Sequence, residues 1–112
     1  MSCLFCSIAE GAIPSKKVYE DDLSLVFHDI APAAPVHLLA IPKAHIQSAA
    51  DITAENAGIV AHLMVVIAKV AGEAGLENGF RVVSNCGKDA QQSVGHLHYH
   101  ILGGRELAWP PG

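Results

Sequence analysis

The sequence predicts an α+β fold in which an antiparallel sheet packs against one long helix. Three observations predict it: short segments rich in β-forming residues, one long stretch with helical spacing of apolar residues, and a hydrophobic content of 51% that can supply a core. With 112 residues, of which 16% are charged, the chain is expected to form one ordered domain spanning residues 1–112.

The first two predicted strands lie on either side of a proline-containing turn. Residues 23–29 (LSLVFHD) alternate apolar β-formers with other residues, and residues 37–41 (HLLAI) form a largely apolar run closed by Pro42. Because Pro32 and Pro35 interrupt regular structure between them, the pattern predicts a strand, a turn and a second strand.

The long helix is predicted over residues 54–74. Thr53 is its expected N-cap, and Gly75 stands where a helix commonly stops. Its apolar residues recur every three or four positions and form one stripe: Ile59, Leu63, Val66, Ile67 and Val70. A face of the sheet is the expected partner of this stripe.

Two further strands are predicted over residues 80–84 (FRVVS) and 96–102 (HLHYHIL), separated by a polar loop over residues 85–93. Side chains alternate between the two faces of a strand. His96, His98 and His100 are therefore expected to share one face, while the apolar residues between them pack under the helix. The alternation separates a candidate site from the core.

The bulk composition excludes several classes of function. A net charge of -4 and a pI near 5.9 argue against a nucleic-acid partner, whose backbone is normally bound by clustered Lys and Arg. The longest apolar stretch, residues 59–71, is too short to span a bilayer, and the N-terminus lacks the pattern of a signal peptide. We therefore expect a cytoplasmic protein with no membrane partner, whose three cysteines are free thiols or metal ligands.

Three histidines at alternate positions indicate a reactive site. A single strand histidine would commonly be a half-exposed residue without a role in chemistry. Neutral imidazole is a nucleophile and proton shuttle near pH 7, because its unperturbed pKa is about 6.5. Crowding several imidazoles together further disfavours their protonation.

The segment from Gln92 to Gly104 (QSVGHLHYHILGG) resembles the signature of the histidine triad (HIT) nucleotide-binding proteins. The resemblance extends through residues 27–30 (FHDI), the strand of His37, residues 42–45 (PKAH), Asn85 and the terminal WPPG, and so covers essentially the whole chain. It is strongest to the Hint-type purine nucleoside phosphoramidase branch, in a bacterial-like form. It implies a HIT-like fold that forms a homodimer with a joined sheet.

That resemblance implies a mechanism. His98 would attack the α-phosphorus of a purine nucleoside monophosphate derivative, such as adenosine phosphoramidate, and water would then release the nucleoside monophosphate from His98. His100 and His37 would line the phosphate site, and Ser93 would hydrogen-bond near the leaving group. The P–N bond is the bond expected to be cut, and no cofactor is required for catalysis.

The resemblance also implies a nucleotide-binding set: Phe27, His28, Asp29, Ile30, Asn85, Gln91, Gln92, Ser93, His98, His100 and Trp109. Asp29 would accept hydrogen bonds from the ribose hydroxyls, although an aspartate before Pro32 is also typical of a turn. Asn85 and the backbone near Gln92 would hold phosphate oxygens. Trp109 would reach toward the partner's site.

One position departs from the family pattern. Gln91 stands where the family usually has a glycine, and its side chain is expected to crowd the phosphate loop. The dimer contact is expected on the long helix outside its main stripe, at residues such as Met64 and Ala68.

A second site is expected near the N-terminus. Cys3 and Cys6 form a CxxC pair, and a structural zinc needs four ligands. In bacterial-type relatives, the resemblance implies that the histidine after Pro-Lys and the first triad histidine complete the set. The expected ligands are Cys3, Cys6, His45 and His96, and the alternative is a pair of free thiols with His45 on the surface.

Three rival functions remain open at this point. The first is a zinc-dependent hydrolase whose catalytic metal is bound by the triad histidines, or by two of them with His37. The second is a dinucleoside polyphosphate hydrolase of the same family. The third is a nucleotide-binding regulatory module without useful turnover.

Overall fold

The structure, a computed structural model, describes residues 3–112; residues 1 and 2 of the expected domain lie outside this range. Its elements in chain order are α1 (Leu4–Ala9), β1 (Lys17–Glu20), β2 (Ser24–His28), β3 (Val36–Pro42), a 3-10 turn (Ala49–Asp51), α2 (Ala57–Glu73), β4 (Phe80–Val83) and β5 (Tyr99–Gly103). The five strands form one antiparallel sheet in the order β1-β2-β3-β5-β4. The predicted α+β class is confirmed. Within residues 3–112, no helix combines the length and the apolar character needed to cross a membrane.

Helix α2 covers one face of the sheet and forms the main core with it. The buried residues of this core are Val26, Leu38, Ala40, Leu63, Val66, Ile67, Val70, Ala71, Leu76 and Ile101. Four of the five residues of the predicted stripe are among them, and Ile59 is half-buried near the start of the helix. Each fully buried aliphatic side chain of this kind stabilises the fold by about 1.5–3 kcal/mol.

The N-terminus of α2 differs from its prediction. The helix begins at Ala57 and its N-cap is Asn56, so Thr53 is not the cap. Instead, Oδ1 of Asn56 accepts a hydrogen bond from the backbone N–H of Thr53 at 2.8 Å, and Nδ2 of Asn56 donates to the carbonyl of Asp51. This local bonding by the Asn56 side chain holds residues 53–56 in a turn and delays the helix.

The C-terminus of α2 ends as predicted. Gly75 has φ +78°, a left-handed conformation that glycine adopts without a steric penalty. Its N–H donates to the carbonyl of Gly72 at 3.2 Å, and the N–H of Leu76 donates to the carbonyl of Ala71 at 3.2 Å. This pair of hydrogen bonds is the Schellman arrangement, which satisfies the last carbonyls of the helix.

The opposite face of the sheet carries a second layer that the sequence analysis did not predict. Helix α1 places Phe5 and Ile8 on a second apolar cluster, whose sheet residues are Leu25, Phe27, Leu39 and Ile41. Strand β2 is consequently buried on both faces from Ser24 to Phe27. Strand β1, which pairs with β2 at the edge of the sheet, was also not predicted because its four residues are mostly exposed.

Strand β5 begins at Tyr99, three residues later than predicted. The preceding residues leave the ladder with β3: the N–H of Leu97 donates to the carbonyl of Ile46, and Nε2 of His96 lies 2.8 Å from the carbonyl oxygen of Pro42. His96 and His98 therefore precede the strand and only His100 lies within it, although all three side chains are partly or fully buried.

Candidate functional site

The candidate site lies on the α1 face, where β3 and β5 are neighbours. In their register, Leu39 pairs with His100 and His37 pairs with Leu102. Because side chains alternate along each strand, His37 and His100 project from the same face. Nε2 of His37 lies 2.8 Å from Nδ1 of His100, which is a hydrogen-bond distance.

The hydrogen bonds around His37 determine where its proton lies. The backbone N–H of Ala33 donates to Nδ1 of His37 at 2.9 Å, so a neutral His37 carries its proton on Nε2 and donates it to Nδ1 of His100. The proton of His100 is then on its Nε2. Oδ2 of Asp29 lies 3.3 Å from Nε2 of His37 and offers it a second acceptor.

Burial lowers the pKa of His100, and the neighbouring His98 and His37 lower it further, against the opposing charge of Asp29. A neutral ring at pH 7 follows. In that state His100 can donate one hydrogen bond from Nε2 without bringing a full positive charge into the site.

The orientation of His98 follows from one backbone contact. Nδ1 of His98 lies 2.7 Å from the carbonyl oxygen of His96. A carbonyl only accepts hydrogen bonds, so Nδ1 carries the proton and Nε2 keeps its lone pair. The ring is 3% exposed and its centroid lies 5.2 Å from that of His100. In its neutral form, His98 therefore has Nε2 available as a nucleophile.

A cleft of about 1020 Å³ opens beside these histidines. The cleft contains seven residues of the predicted nucleotide-binding set: Phe27, His28, Asp29, Ile30, Ser93, His98 and His100. No sequence pattern predicted the other walls of the cleft, which are Leu4, Phe5, Ile8, Ile13, Pro14, Ser15, Lys16, Leu39 and Val94. Most of these walls are apolar, and the imidazoles and Asp29 supply polar groups among them, as is typical of sites for small organic ligands.

Three predicted phosphate-loop residues lie outside the lining of the cleft. Nδ2 of Asn85 donates to the carbonyl of Ala90 at 2.6 Å. The Gln92 side chain accepts from the N–H of Gly87 and donates to the carbonyls of Gln47 and Val94. These two side chains therefore hold the shape of the loop from within.

Gln91 is the one non-glycine residue with a positive φ, +61°, among the described residues. The left-handed conformation explains why glycine suits this position, since a side chain there is strained. The Gln91 side chain is exposed, so it does not fill the loop interior.

Trp109 lies on the outer surface next to β4. Its side chain is 78% exposed, and the guanidinium of Arg81 lies 5.7 Å from its ring centroid. Nη2 of Arg81 also donates to the carbonyl of Ala108 at 2.9 Å, which ties the C-terminal segment to the sheet. Within this chain Trp109 does not line the cleft.

The four predicted zinc ligands come together below the cleft. Nδ1 of His96 lies 3.4 Å from Sγ of Cys3 and 3.5 Å from Sγ of Cys6, and Nδ1 of His45 lies 3.3 Å from Sγ of Cys6. Zinc bonds of about 2.3 Å to sulfur and about 2.0 Å to nitrogen place such pairs about 3.5 Å apart in a tetrahedron. The four ligand atoms all lie within 4.8 Å of one another and fit a tetrahedral metal.

The hydrogen bonding and pKa of His96 also suit a metal ligand. Its Nε2 bonds to the carbonyl of Pro42, so the lone pair of Nδ1 faces the two sulfurs. Burial lowers the pKa of His96, and the neighbouring His45 and His98 act in the same direction. Burial raises the pKa of the Cys6 thiol, and the adjacent Cys3 and Glu10 raise it further. A bound cation would instead lower this pKa.

A second group, Asp29, His37 and His100, also has ligand atoms within 4.8 Å of one another. Its geometry is that of a hydrogen bond. The 2.8 Å between the nitrogens is shorter than the roughly 3.3 Å between two nitrogens on a tetrahedral metal, and Nε2 of His37 carries a proton. A metal there would have to displace that proton and separate the rings.

Comparisons with known proteins agree with this fold. The family model described as "Scavenger mRNA decapping enzyme C-term binding" matches residues 2–107. A HIT-like protein of Synechococcus elongatus is 49% identical over 97% of this chain and 96% of its own length.

Two solved structures extend the comparison. A HIT family hydrolase from Legionella pneumophila is 46% identical, covers 99% of this chain and 100% of its own, and superposes with a TM-score of 0.97. A histidine triad nucleotide-binding protein from Candida albicans is 32% identical, with coverage of 97% and 83% and a TM-score of 0.82. Together with the triad of His96, His98 and His100, these matches show that the chain belongs to the histidine triad family.

Proposed function

We propose that this chain hydrolyses purine nucleoside 5'-phosphoramidates, such as adenosine phosphoramidate, to the nucleoside monophosphate and an amine through a nucleotidyl-His98 intermediate. One observation carries the proposal: His98 keeps an unprotonated Nε2 beside the hydrogen-bonded pair His37 and His100, in a mostly apolar cleft. The names of the Legionella hydrolase and the Candida nucleotide-binding protein support the same class of activity.

The first step forms a bond between Nε2 of His98 and the α-phosphorus as the P–N bond of the substrate breaks. The amine departs with a proton taken from solvent through the hydroxyl of Ser93, which lines the cleft. The His98 ring becomes cationic, and the bond from its Nδ1–H to the carbonyl of His96 stabilises that charge. In the second step water attacks phosphorus, the bond from phosphorus to Nε2 of His98 breaks, and a proton of the water passes to solvent. This restores neutral His98 and releases the monophosphate.

The His37–His100 pair stabilises the phosphoryl oxygens. Nε2–H of His100 donates to a non-bridging oxygen, and His37 keeps this tautomer in place through its own donated hydrogen bond. Oδ1 of Asp29 accepts from the N–H of Ala31, and Oδ2, which lies 3.3 Å from Nε2 of His37, has a second lone pair that would accept from a ribose hydroxyl. Apolar walls such as Phe27 and the fully exposed Ile30 would flank a purine ring.

The deciding experiment is a turnover panel with adenosine and guanosine phosphoramidates against dinucleoside polyphosphates. We expect the phosphoramidates to be the better substrates, and we expect mass spectrometry of quenched protein to find a nucleotide on His98. His98→Ala should lose at least about 10³-fold in kcat. The matched control is His62→Gln, because His62 bonds to Asp21 away from the cleft. Undiminished turnover by His98→Ala would contradict the proposal, and faster cleavage of dinucleoside polyphosphates would favour the rival substrate class.

We also propose a structural zinc bound by Cys3, Cys6, His45 and His96. The S···N distances and the lone pair of His96 support it. When bound, the metal would cross-link α1 to the loop of His45 and to the triad segment. Metal analysis of protein purified without added zinc should find about one zinc per chain, lost in Cys6→Ser. Intact folding with no bound metal would contradict this site.

We further propose a homodimer with a joined sheet. Among the described residues, strand β4 has a neighbour on one side only, and the outward face of α2 exposes Met64, Val65 and Ala68. An unpaired edge strand and exposed apolar side chains on a helix each support self-association. Light scattering should give twice the chain mass for the wild type and the single mass for Val65→Glu, whereas Lys88→Glu in an exposed loop should not change the mass.

A further inference from the structure

We propose that Phe5 is a positioning residue that holds the imidazole of His98 and links it to the Cys3, Cys6, His45 and His96 site. The inference deepens the proposed function and rests on it. Phe5 stands between the two cysteines in the sequence, is 5% exposed and lines the cleft. It therefore belongs to both sites at once.

The ring of Phe5 contacts both the nucleophile and a member of the four-residue cluster. Its centroid lies 5.1 Å from that of His98 with the planes at 89°, and 6.1 Å from that of His96 with the planes at 73°. A third edge contact, at 5.6 Å, is made with Phe27. Such edge-to-face contacts fix the relative orientation of rings.

This packing restricts the one rotation that would disable His98. Turning the imidazole over about its Cβ–Cγ bond would break the hydrogen bond from Nδ1 to the carbonyl of His96 and move Nε2 to the place that Cε1 now occupies. The backbone bond opposes that rotation, and the close, buried ring of Phe5 removes the space for it. Phe5 thus keeps Nε2 directed at the substrate phosphorus.

The position of Phe5 depends on how α1 is held. The helix has six residues, fewer than an isolated helix needs for stability in water. Among the described residues, two kinds of contact secure it: the apolar packing of Phe5 and Ile8, and the approach of the Cys3 and Cys6 sulfurs to His96 and of the Cys6 sulfur to His45. Loss of the second leaves α1 on apolar contacts alone, so the state of the cysteine site should control the order of His98.

The experiment compares five samples of the full chain: the wild type with zinc, the wild type after chelation, and Phe5→Leu, Phe5→Trp and Ile41→Val, each with zinc. Ile41 is buried in the same apolar cluster and does not line the cleft, so it is the matched core control. The readouts are zinc per chain, the tautomer of His98 from long-range ¹H–¹⁵N spectra at about pH 8, where unperturbed imidazoles are neutral, and kcat and KM for adenosine phosphoramidate.

We expect a single Nδ1–H tautomer for His98 in the zinc-loaded wild type and in Ile41→Val. Phe5→Leu should keep its zinc yet show mixed tautomers, with kcat reduced about tenfold or more because a misaligned reacting group is costly. Chelated wild type should show the same mixed spectrum. Phe5→Trp with zinc, which restores an aromatic edge, should recover the single tautomer in part.

The inference is overturned if zinc-loaded Phe5→Leu keeps one tautomer and a kcat like that of Ile41→Val. Its link to the cysteine site is overturned if adding or removing zinc leaves the His98 spectrum unchanged, including the case in which no zinc binds. The spectra need no substrate. Absence of phosphoramidate turnover in the wild type would therefore refute the proposed function while the tautomer readout still decides the role of Phe5.

Discussion

The α2 face and the α1 face of the same sheet differ in what covers them. On the α2 face, a 17-residue helix seals a core of aliphatic side chains. On the α1 face, a six-residue helix covers only part of the sheet, and the uncovered part is the cleft with its histidines. We therefore expect stability to be concentrated on the α2 face, which leaves the α1 face free to carry polar groups that contribute little to folding.

The largest expected effect comes from truncating the α2 core. Ile67→Ala should lower the free energy of unfolding by about 3–5 kcal/mol, because Ile67 is 2% exposed and the cavity would be sealed. Ile8→Ala on the α1 face should lower it by only about 1–2 kcal/mol, since Ile8 borders an open cleft that the truncation merely widens. Urea unfolding of both variants measures the difference. Equal losses would contradict the unequal division of stability between the faces.

The second effect concerns activity on the α1 face. His37→Leu should reduce kcat about 10–100-fold, because it removes the donor that fixes the tautomer of His100. The loss in folding stability should be small by comparison. His37→Gln is the matched variant, since its amide can still accept from Ala33 and donate to His100, and it should recover much of the activity. Failure of glutamine to rescue, together with inactivation by chelators, would instead favour a metal at this pair.

The sequence pattern predicted almost all of the α2 face of the sheet but only part of the α1 face. The stripe through Leu63 and Val70 spans several turns, so its period is readable, whereas a helix of six residues offers too few positions for a period to emerge. The alternation of the triad predicted three strand histidines on one face, whereas only His100 lies within β5. It could not reveal that His96 bonds to Pro42 and so delays β5, because that depends on a contact 54 positions away.

The walls of the cleft show the same limit. Ile13 and Lys16 line the same cleft as His98 through the tertiary fold alone, and no local pattern marks them. Asn56 likewise displaced Thr53 as the cap of α2 because two polar residues compete within one turn. The residue types of the site could therefore be predicted from the sequence, but the contacts that support them could not.

A third effect tests a polar cluster that ties α2 to the hairpin of β1 and β2. Burial raises the pKa of Asp21, but hydrogen bonds from His62, Tyr19 and two backbone N–H groups outweigh it and lower the pKa from 3.8 to about 2. A carboxyl whose pKa is lowered by folding stabilises the fold above its unfolded pKa, and this stabilisation is lost as the pH falls toward 2.

We therefore expect Asp21→Asn to lose about 1 kcal/mol at pH 7, after allowance for solvent screening, and much less near pH 2. Chemical unfolding at both pH values measures this. The exposed neighbour Asp22 serves as control, and Asp22→Asn should change stability little at either pH. A loss that is the same at both pH values would assign the effect of Asp21 to packing.

The smallest effect lies at the loop beside the triad. Gln91 has φ +61°, so Gln91→Gly should relieve backbone strain and raise the free energy of unfolding by about 0.5–1 kcal/mol, while β-branched Gln91→Val should lower it. Asp89→Gly, in the same loop but without a positive φ, should be destabilising because it only adds freedom to the unfolded chain.

Because the Gln91 side chain is exposed and outside the cleft lining, the kcat of Gln91→Gly should stay within about twofold of the wild type, a change of less than roughly 0.5 kcal/mol in the barrier. A large gain in kcat for Gln91→Gly would mean that the side chain does crowd the phosphate. The loop, and not only the short helix α1, would then limit the activity of the α1 face.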